Sequence, residues 1–400
     1  MIGENGNTIY WSLLQAALWG NKGERLEARG EGIKARGERL EDEQIAALLP
    51  LCAQQGTGAL VFPMLLAQED IPLQAKLQMK AVCLTTMQEQ VHLQHTLEQA
   101  WTALTKAGIQ PVLMKGAGLA ALYPEPQMRQ WGDIDLFVGQ AQYHPACAVM
   151  RETFPDALKF DEELDHYKHY NLIADDISME IHRITVGLQH PIDARHYERM
   201  EEFGVTHMRE VEIGGLRLKI FEPTFNALFV MLHAWEHAMT KGANVRQLCD
   251  LALMLHHYAA EIDRPRLKQW LRRLHLTDVW QLYMSVLVHY IGLPQDEAPL
   301  WLKARGERLE SRGEGLRARA ERFVEDLIND RMSAPHDDAA SQPNDAKSKN
   351  RFVRKWHTMQ ERLRNARRIA RYSPAYGRHM QVETILHGAL RLFAKDRHWE

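Results

Sequence analysis

Residues 133–135 read Asp-Ile-Asp inside the apolar run DIDLFV. Alternate residues of a strand share a face, so this spacing predicts that Asp133 and Asp135 project together while Ile134 and Leu136 face the core. Two carboxylates a few ångströms apart repel strongly unless a cation lies between them. Hard oxygen ligands of this kind suit Mg2+, with Mn2+ as its substitute, bound together with substrate phosphates. A third carboxylate on a neighbouring strand would complete a two-metal site for in-line attack at phosphorus. Glu180 in SMEIHRI is the candidate, because apolar Met179 and Ile181 on either side must face the opposite way. Lys115 and Arg129 are placed to neutralise a triphosphate. The turn after PVLM presents backbone N–H groups at Gly116 and Ala117, ahead of a short helix whose N-terminus favours phosphate. Each residue also has an ordinary reading: strand-end Asp, exposed-face Glu, solvated Lys, surface Arg. Their order along the chain, strand, Gly turn, helix, acidic strand and later acidic strand, is what favours the joint one.

These side chains need elements to position them. Residues 8–107 read as mostly helical, with Leu73 to Lys106 as one long helix stopped at Gly108. IQPVLMKG and DIDLFV are short apolar runs separated by the brief helix GAGLAALY. A helix from Ala141 to Glu152 follows, then two strands, HYNLIAD and ISMEIHRI, and a hairpin, REVEIGGLRLKIF, turning at Gly214–Gly215. Helical periodicity returns from Pro223 in four segments ending at VWQLYMSVLVHYI. The fold class expected is α+β, a mixed α+β middle flanked by N-terminal and C-terminal helical regions. The domain boundaries read as a helical region 1–107, an α+β core 108–222, a helical domain 223–332, a disordered linker 333–350 and a basic helical tail 351–400.

A net charge of -3 over 400 residues carries no global sign of nucleic-acid binding. Its distribution is uneven: residues 101–190 hold 12 acids against 7 bases, and residues 351–400 hold 12 bases against 4 acids. The basic tail is therefore the only part suited to nucleic acid, and a solvated basic helix is the simpler reading of it. Cys52, Cys83, Cys147 and Cys249 are far apart and form no CxxC pair, which argues against a zinc cluster or disulfide framework and suits a reducing cytosol. IYWSLLQAALW has no basic region before it, and no apolar run reaches the ~18 residues of a membrane span. A soluble, cytoplasmic protein with no membrane partner is expected.

Two charged segments, 23–43 and 306–326, match at 13 of 21 positions and carry one large apolar residue per heptad: Leu26, Ile33 and Leu40, then Leu309, Leu316 and Phe323. A coiled-coil seam needs two, so they read as a duplicated, solvated insert.

The stretch LMKGAGLAALYPEPQMRQWGDIDLFV, followed by MEIHRI, resembles the uncharacterised nucleotidyltransferase family of the DNA polymerase beta-like superfamily. The family's Lys-Gly turn, Tyr-Pro segment, Arg, Asp-x-Asp strand and Glu-x-His strand fall on Lys115-Gly116, Tyr123-Pro124, Arg129, Asp133/Asp135 and Glu180/His182. The similarity is densest over 111–138 and continues loosely through HAWEHA and LCDLALML. The resemblance implies a minimal nucleotidyltransferase fold and transfer of a nucleoside monophosphate from an NTP, ATP foremost, to an acceptor that the sequence does not specify. It implies Mg2+ on Asp133, Asp135 and Glu180, and nucleotide contacts from Lys115, Gly116, Ala117, Arg129 and His182. The superfamily's phosphate turn usually reads Gly-Ser or Gly-Gly, whereas Gly116-Ala117 here lacks the serine hydroxyl.

Two other readings compete. HAWEH, with His233, Glu236 and His237, has the HxxEH pattern of inverted zincins and would need a third zinc ligand from elsewhere. A catalytically degenerate binding or regulatory module would share the fold, although a complete carboxylate trio argues against it. Trp131 stands near Asp133, where it reads as core or as a base-stacking ring.

Overall fold

The computed structural model describes residues 4–20, 40–68, 71–130, 132–160, 164, 166–188, 190–240, 242–300, 307–329 and 351–393. Trp131, most of the first charged segment (23–39) and the expected linker 333–350 lie outside the described residues. Five strands, β1 (Val112–Leu113), β2 (Asp133–Phe137), β3 (Leu158–Lys159), β4 (His169–Ala174) and β5 (Ile177–His182), form one sheet in the order β1-β2-β5-β4-β3. β2 and β5 run parallel and the other pairings are antiparallel, so the sheet is mixed.

Alternation decides which face is dry. Ile134, Leu136, Tyr170, Leu172, Met179 and Ile181 all point one way and are fully buried. Burying an aliphatic side chain of this size contributes about 1.5–3 kcal/mol, enough to hold the register. The parallel pairing sets Asp135 opposite Glu180 and Asp133 opposite Ser178, all on the other face.

Helices α1 (Glu4–Trp19), α2 (Asp42–Gln54), α3 (Gly58–Leu66) and α4 (Leu73–Lys106) precede the sheet. α4 has the expected bounds and is closed by Ile109 N–H donating to the Leu104 carbonyl. Within the core, α5 (Ala117–Ala120) follows β1 and α6 (Gly139–Thr153) follows β2; α4 and α6 pack on the dry side. α7 (Pro191–Thr206), absent from the sequence reading, opens with proline in its first turn and buries Tyr197 and Met200. Its charged composition hides a narrow apolar stripe. The hairpin is as expected: β6 (Arg209–Ile213) and β7 (Leu216–Ile220) turn at Gly214 and Gly215, whose φ values of 58° and 80° both lie in the left-handed region such a turn needs.

α8 (Pro223–Thr240), α9 (Val245–His257), α10 (Arg264–Arg273) and α11 (Thr277–Val286) cover the rest, and the architecture is α+β with helical flanks. The second charged segment lies mostly in α12 (Glu307–Ile328), which is not wholly solvated. Ala320, Phe323, Val324 and Leu327 are buried, because a second apolar residue joins each turn beyond Ala320. The basic tail forms two packed helices, α13 (Arg351–Ala370) and α14 (Pro374–Phe393). Their junction is tied down by Tyr372 Oη donating to Asp326 at 2.7 Å and Ser373 Oγ donating to Asp278 at 2.8 Å. Among the described residues, no helix is long and apolar enough to cross a membrane.

Candidate functional site

Asp133, Asp135 and Glu180 converge: each offers an oxygen, and the three lie within 4.8 Å of one another. The in-register parallel pairing of β2 with β5 produces this, since it places alternate residues of both strands on one face. Asp135 is wholly buried, while Asp133 and Glu180 keep partial access to solvent. Three carboxylates so close must be compensated.

Two basic side chains do part of this. Lys115 Nζ lies 3.1 Å from Asp133 Oδ2 and 3.2 Å from Asp135 Oδ2. It reaches them because Met114 N–H bonds the Asp135 carbonyl, extending β1 along β2, before Gly116 (φ 63°) turns the chain into α5. Burial alone would lower the Lys115 pKa, but Asp135, Asp133 and Glu180 outweigh it and raise it above the usual lysine value. His182 Nε2 sits between Asp135 Oδ1 (3.1 Å) and Glu180 Oε2 (2.9 Å). Burial disfavours its charged form, yet hydrogen bonds to both carboxylates raise its pKa. Glu180 is the converse: burial would raise it, and the bond to His182 dominates in holding it far below the usual carboxylate range. Burial holds the neighbouring His169 imidazole at about 4, against the pull of Glu180.

Even with His182 protonated, Lys115 and His182 would set only two positive charges against the three carboxylates. Asp135 Oδ2 is buried and accepts no hydrogen bond among the described residues, although Lys115 faces it. A hard-oxygen set with an excess negative charge and an unsatisfied buried oxygen fits a divalent cation of the Mg2+ class.

His233 on α8 faces the same lysine, its Nε2 3.3 Å from Lys115 Nζ. An ammonium only donates, so Nε2 accepts and the imidazole is neutral; burial keeps its pKa well below the usual value. His237 stacks edge-on to His233 at 4.5 Å, and Glu236 pairs with Lys168 at 3.3 Å. Among the described residues, neither histidine belongs to a group of three metal-ligating side chains, so the HxxEH stretch lacks the third ligand a zinc hydrolase requires.

Arg129 is placed differently from a free phosphate ligand. It is 2 % exposed, and its Nε and Nη2 bond the two oxygens of Asp250 at 2.7 and 2.8 Å. Tyr123 Oη donates to the same carboxylate at 2.7 Å. Burial opposes ionisation of Asp250, and Arg129 outweighs it, holding the carboxyl below its usual range. Arg129 Nη1 stays buried with no hydrogen-bond partner among the described residues. Lys115, Gly116, Arg129, Asp133, His233 and Arg246 border one cavity of about 80 Å³. Arg246 also borders a cleft of about 520 Å³ that reaches Gly132, Asp175 and Asp176. Ala117 is buried at the start of the four-residue α5.

Sequence reasoning missed Asp250, His233 and His169 as neighbours of the site. Asp250 left a signal, an acid in the otherwise apolar CDLALML, but no periodicity names its partner 121 residues away.

The fold and site define an α+β protein with an acidic, partly neutralised face on a small mixed sheet, enclosed by helices. A sequence profile described as "Uncharacterised nucleotidyltransferase" matches residues 41–292, and the chain belongs to this family. The match takes in α2 to α4 as well as the sheet and the helices that follow. An antigenic nucleotidyltransferase-like protein from Paracoccidioides brasiliensis is similar at 16% identity over 44% of this chain and 84% of that chain, with a TM-score of 0.28. No curated protein matches the chain.

Proposed function

We propose that this chain transfers a nucleoside monophosphate from an NTP, ATP foremost, to an acceptor in a reaction that requires Mg2+, with Mn2+ as a substitute. The observation that carries the reading is the convergence of Asp133, Asp135 and Glu180 beside Lys115, on a chain of the nucleotidyltransferase family. The three carboxylates would hold the metal, which when bound neutralises phosphate charge and makes the phosphorus a better electrophile.

The protein's own groups divide the remaining work. Lys115, freed from the carboxylates, keeps its charge and swings its ammonium onto phosphate oxygens. The backbone of Gly116 and Ala117 borders the same phosphates, so the missing serine hydroxyl costs one contact only. His182 orients Asp135 and Glu180 through its shared Nε2 proton, a positioning role rather than a nucleotide contact. Glu180, held so low, binds a proton weakly and therefore suits orienting the acceptor better than deprotonating it. Arg129 braces the loop before β2 through Asp250, with Nη1 left for phosphate. The 80 Å³ cavity is smaller than the ~300 Å³ of an ordinary small-molecule pocket. The nucleoside would accordingly extend into the larger cleft past Arg246. An anionic acceptor, nucleic acid included, would find its charge partner in the basic tail.

The test is incubation with labelled NTPs and Mg2+, comparing the wild type with Asp133→Ala/Asp135→Ala. Metal-dependent NTP binding and transfer by the wild type, both lost in the variant, is the expected result. Binding without transfer would favour a degenerate module, and transfer that survives the double substitution would sink the catalytic assignment.

A further inference from the structure

We propose that Asp193, His275 and His379 form a second metal site, of the zinc class, that clasps the C-terminal helix α14 to the body of the protein. The three residues come from the first turn of α7, the connection between α10 and α11, and α14, and each offers a ligand atom within 4.8 Å of the others. His379 Nε2 lies 3.0 Å from Asp193 Oδ2. The rings of His275 and His379 stack with centroids 3.9 Å apart and planes inclined by 22°. Stacked this way they make no hydrogen bond to each other, and among the described residues the His275 side chain makes none at all.

His275 also holds its ring there in an unfavourable backbone state. Its φ is +58°, left-handed, immediately after α10, where glycine is the residue that fits without cost. His275 is exposed and no hydrogen bond among the described residues fixes its imidazole in that place, where ligation would.

A supporting shell surrounds the three. His190 Nδ1 accepts from Asp193 N–H at 3.4 Å, and its Nε2 lies 2.5 Å from Glu383 Oε2. Glu383 and His379 share a face of α14, four residues apart. His190 thus fixes a second carboxylate beside the cluster, and the two negative charges of Asp193 and Glu383 balance a divalent ion. Two imidazoles and one carboxylate match zinc donors, with a fourth position for water. The site shares no residue with the Asp133/Asp135/Glu180 centre and would fasten the tail rather than do chemistry.

The experiment measures zinc content by elemental analysis and zinc affinity by calorimetry on the full chain. It adds Co2+ substitution, whose visible absorption reports tetrahedral coordination. Wild type should retain stoichiometric zinc, and hydrogen exchange across Pro374–Phe393 should slow when the ion is added. His379→Ala and His275→Gly should each weaken binding by at least about tenfold, whereas Asp133→Ala/Asp135→Ala should leave it unchanged. His275→Gly is the decisive variant because it relieves the backbone at that position, so a folding defect cannot explain its loss of zinc. The proposal is overturned if the wild type takes up no zinc at equimolar concentration, or if zinc binding survives both histidine substitutions.

Discussion

Two buried cation–carboxylate assemblies border the same small cavity, and they are balanced differently. Arg129 and Asp250 meet one to one, with both carboxylate oxygens and two guanidinium nitrogens in use and Tyr123 donating to the same carboxylate. Lys115 and His182 instead face three carboxylates from two strands. The first assembly is balanced in charge, though Arg129 Nη1 is left buried without a hydrogen-bond partner among the described residues. The second keeps a surplus of negative charge and an unsatisfied oxygen, which leaves it open to a cation. Similar chemistry in two adjoining places is therefore matched charge for charge in one and left with an excess of carboxylates in the other.

The largest effect should come from breaking the balanced pair. Asp250→Ala leaves the Arg129 guanidinium buried and uncompensated, so unfolding free energy in urea should fall by about 3–5 kcal/mol. Asp135→Asn, nearly isosteric, should leave the fold intact while lowering Mg2+-dependent NMP transfer by at least about a hundredfold. A comparable collapse of stability in that variant would mean the two assemblies are not different in kind.

Lys115→Met removes the open site's lysine ammonium. Thermal melting should show a loss of about 1–3 kcal/mol without metal, discounted because Asp133 and Glu180 reach solvent. Added Mg2+ should then raise the melting temperature more in Lys115→Met than in the wild type, since the ion takes over the ammonium's task. Equal responses would remove the argument that lysine and metal compete for the same oxygens.

The pH dependence follows from opposite shifts. His182 has a raised pKa in the fold, so its contribution is fully present below about 6.5 and is lost as pH rises through the higher folded value. Glu180 is depressed, so its contribution is present above the usual carboxylate pKa and is lost as pH falls through the lower folded value. His182→Gln should flatten the alkaline limb of a melting profile taken from about pH 5 to about pH 9. Arg129–Asp250 has no such limb because arginine does not titrate there. The smallest effect belongs to Glu236→Gln, which breaks a half-exposed bridge to Lys168 and should cost less than about 1 kcal/mol in the same melts.

Much of this site could be read before any coordinates. Alternation in DIDLFV and SMEIHRI placed Asp133, Asp135 and Glu180 on faces opposite their apolar neighbours, and the bounds of α4 and the Gly214–Gly215 turn followed from periodicity and glycine. α7 was missed because its apolar stripe is narrow among charges. The buried end of α12 was missed because its heptad pattern improves only beyond Ala320. Arg129 reads as a phosphate ligand in the sequence, and the structure pairs its Nε and Nη2 with Asp250.

The sequence by itself determined the local order: which residues share a face, where strands and helices stop, and that two acids in an apolar strand would need a counter-charge. These depend on periods of two and 3.6 residues and need no knowledge of distant neighbours. Only the tertiary structure decided which counter-charge each acid meets. Register sets Glu180 opposite Asp135, strand pairing brings Lys115 to both aspartates, and helix packing delivers Asp250 to Arg129 and His379 to Asp193. Coulombic pairing depends on distance in space, and a chain folded by burial of its apolar faces sets those distances without reference to separation along the sequence.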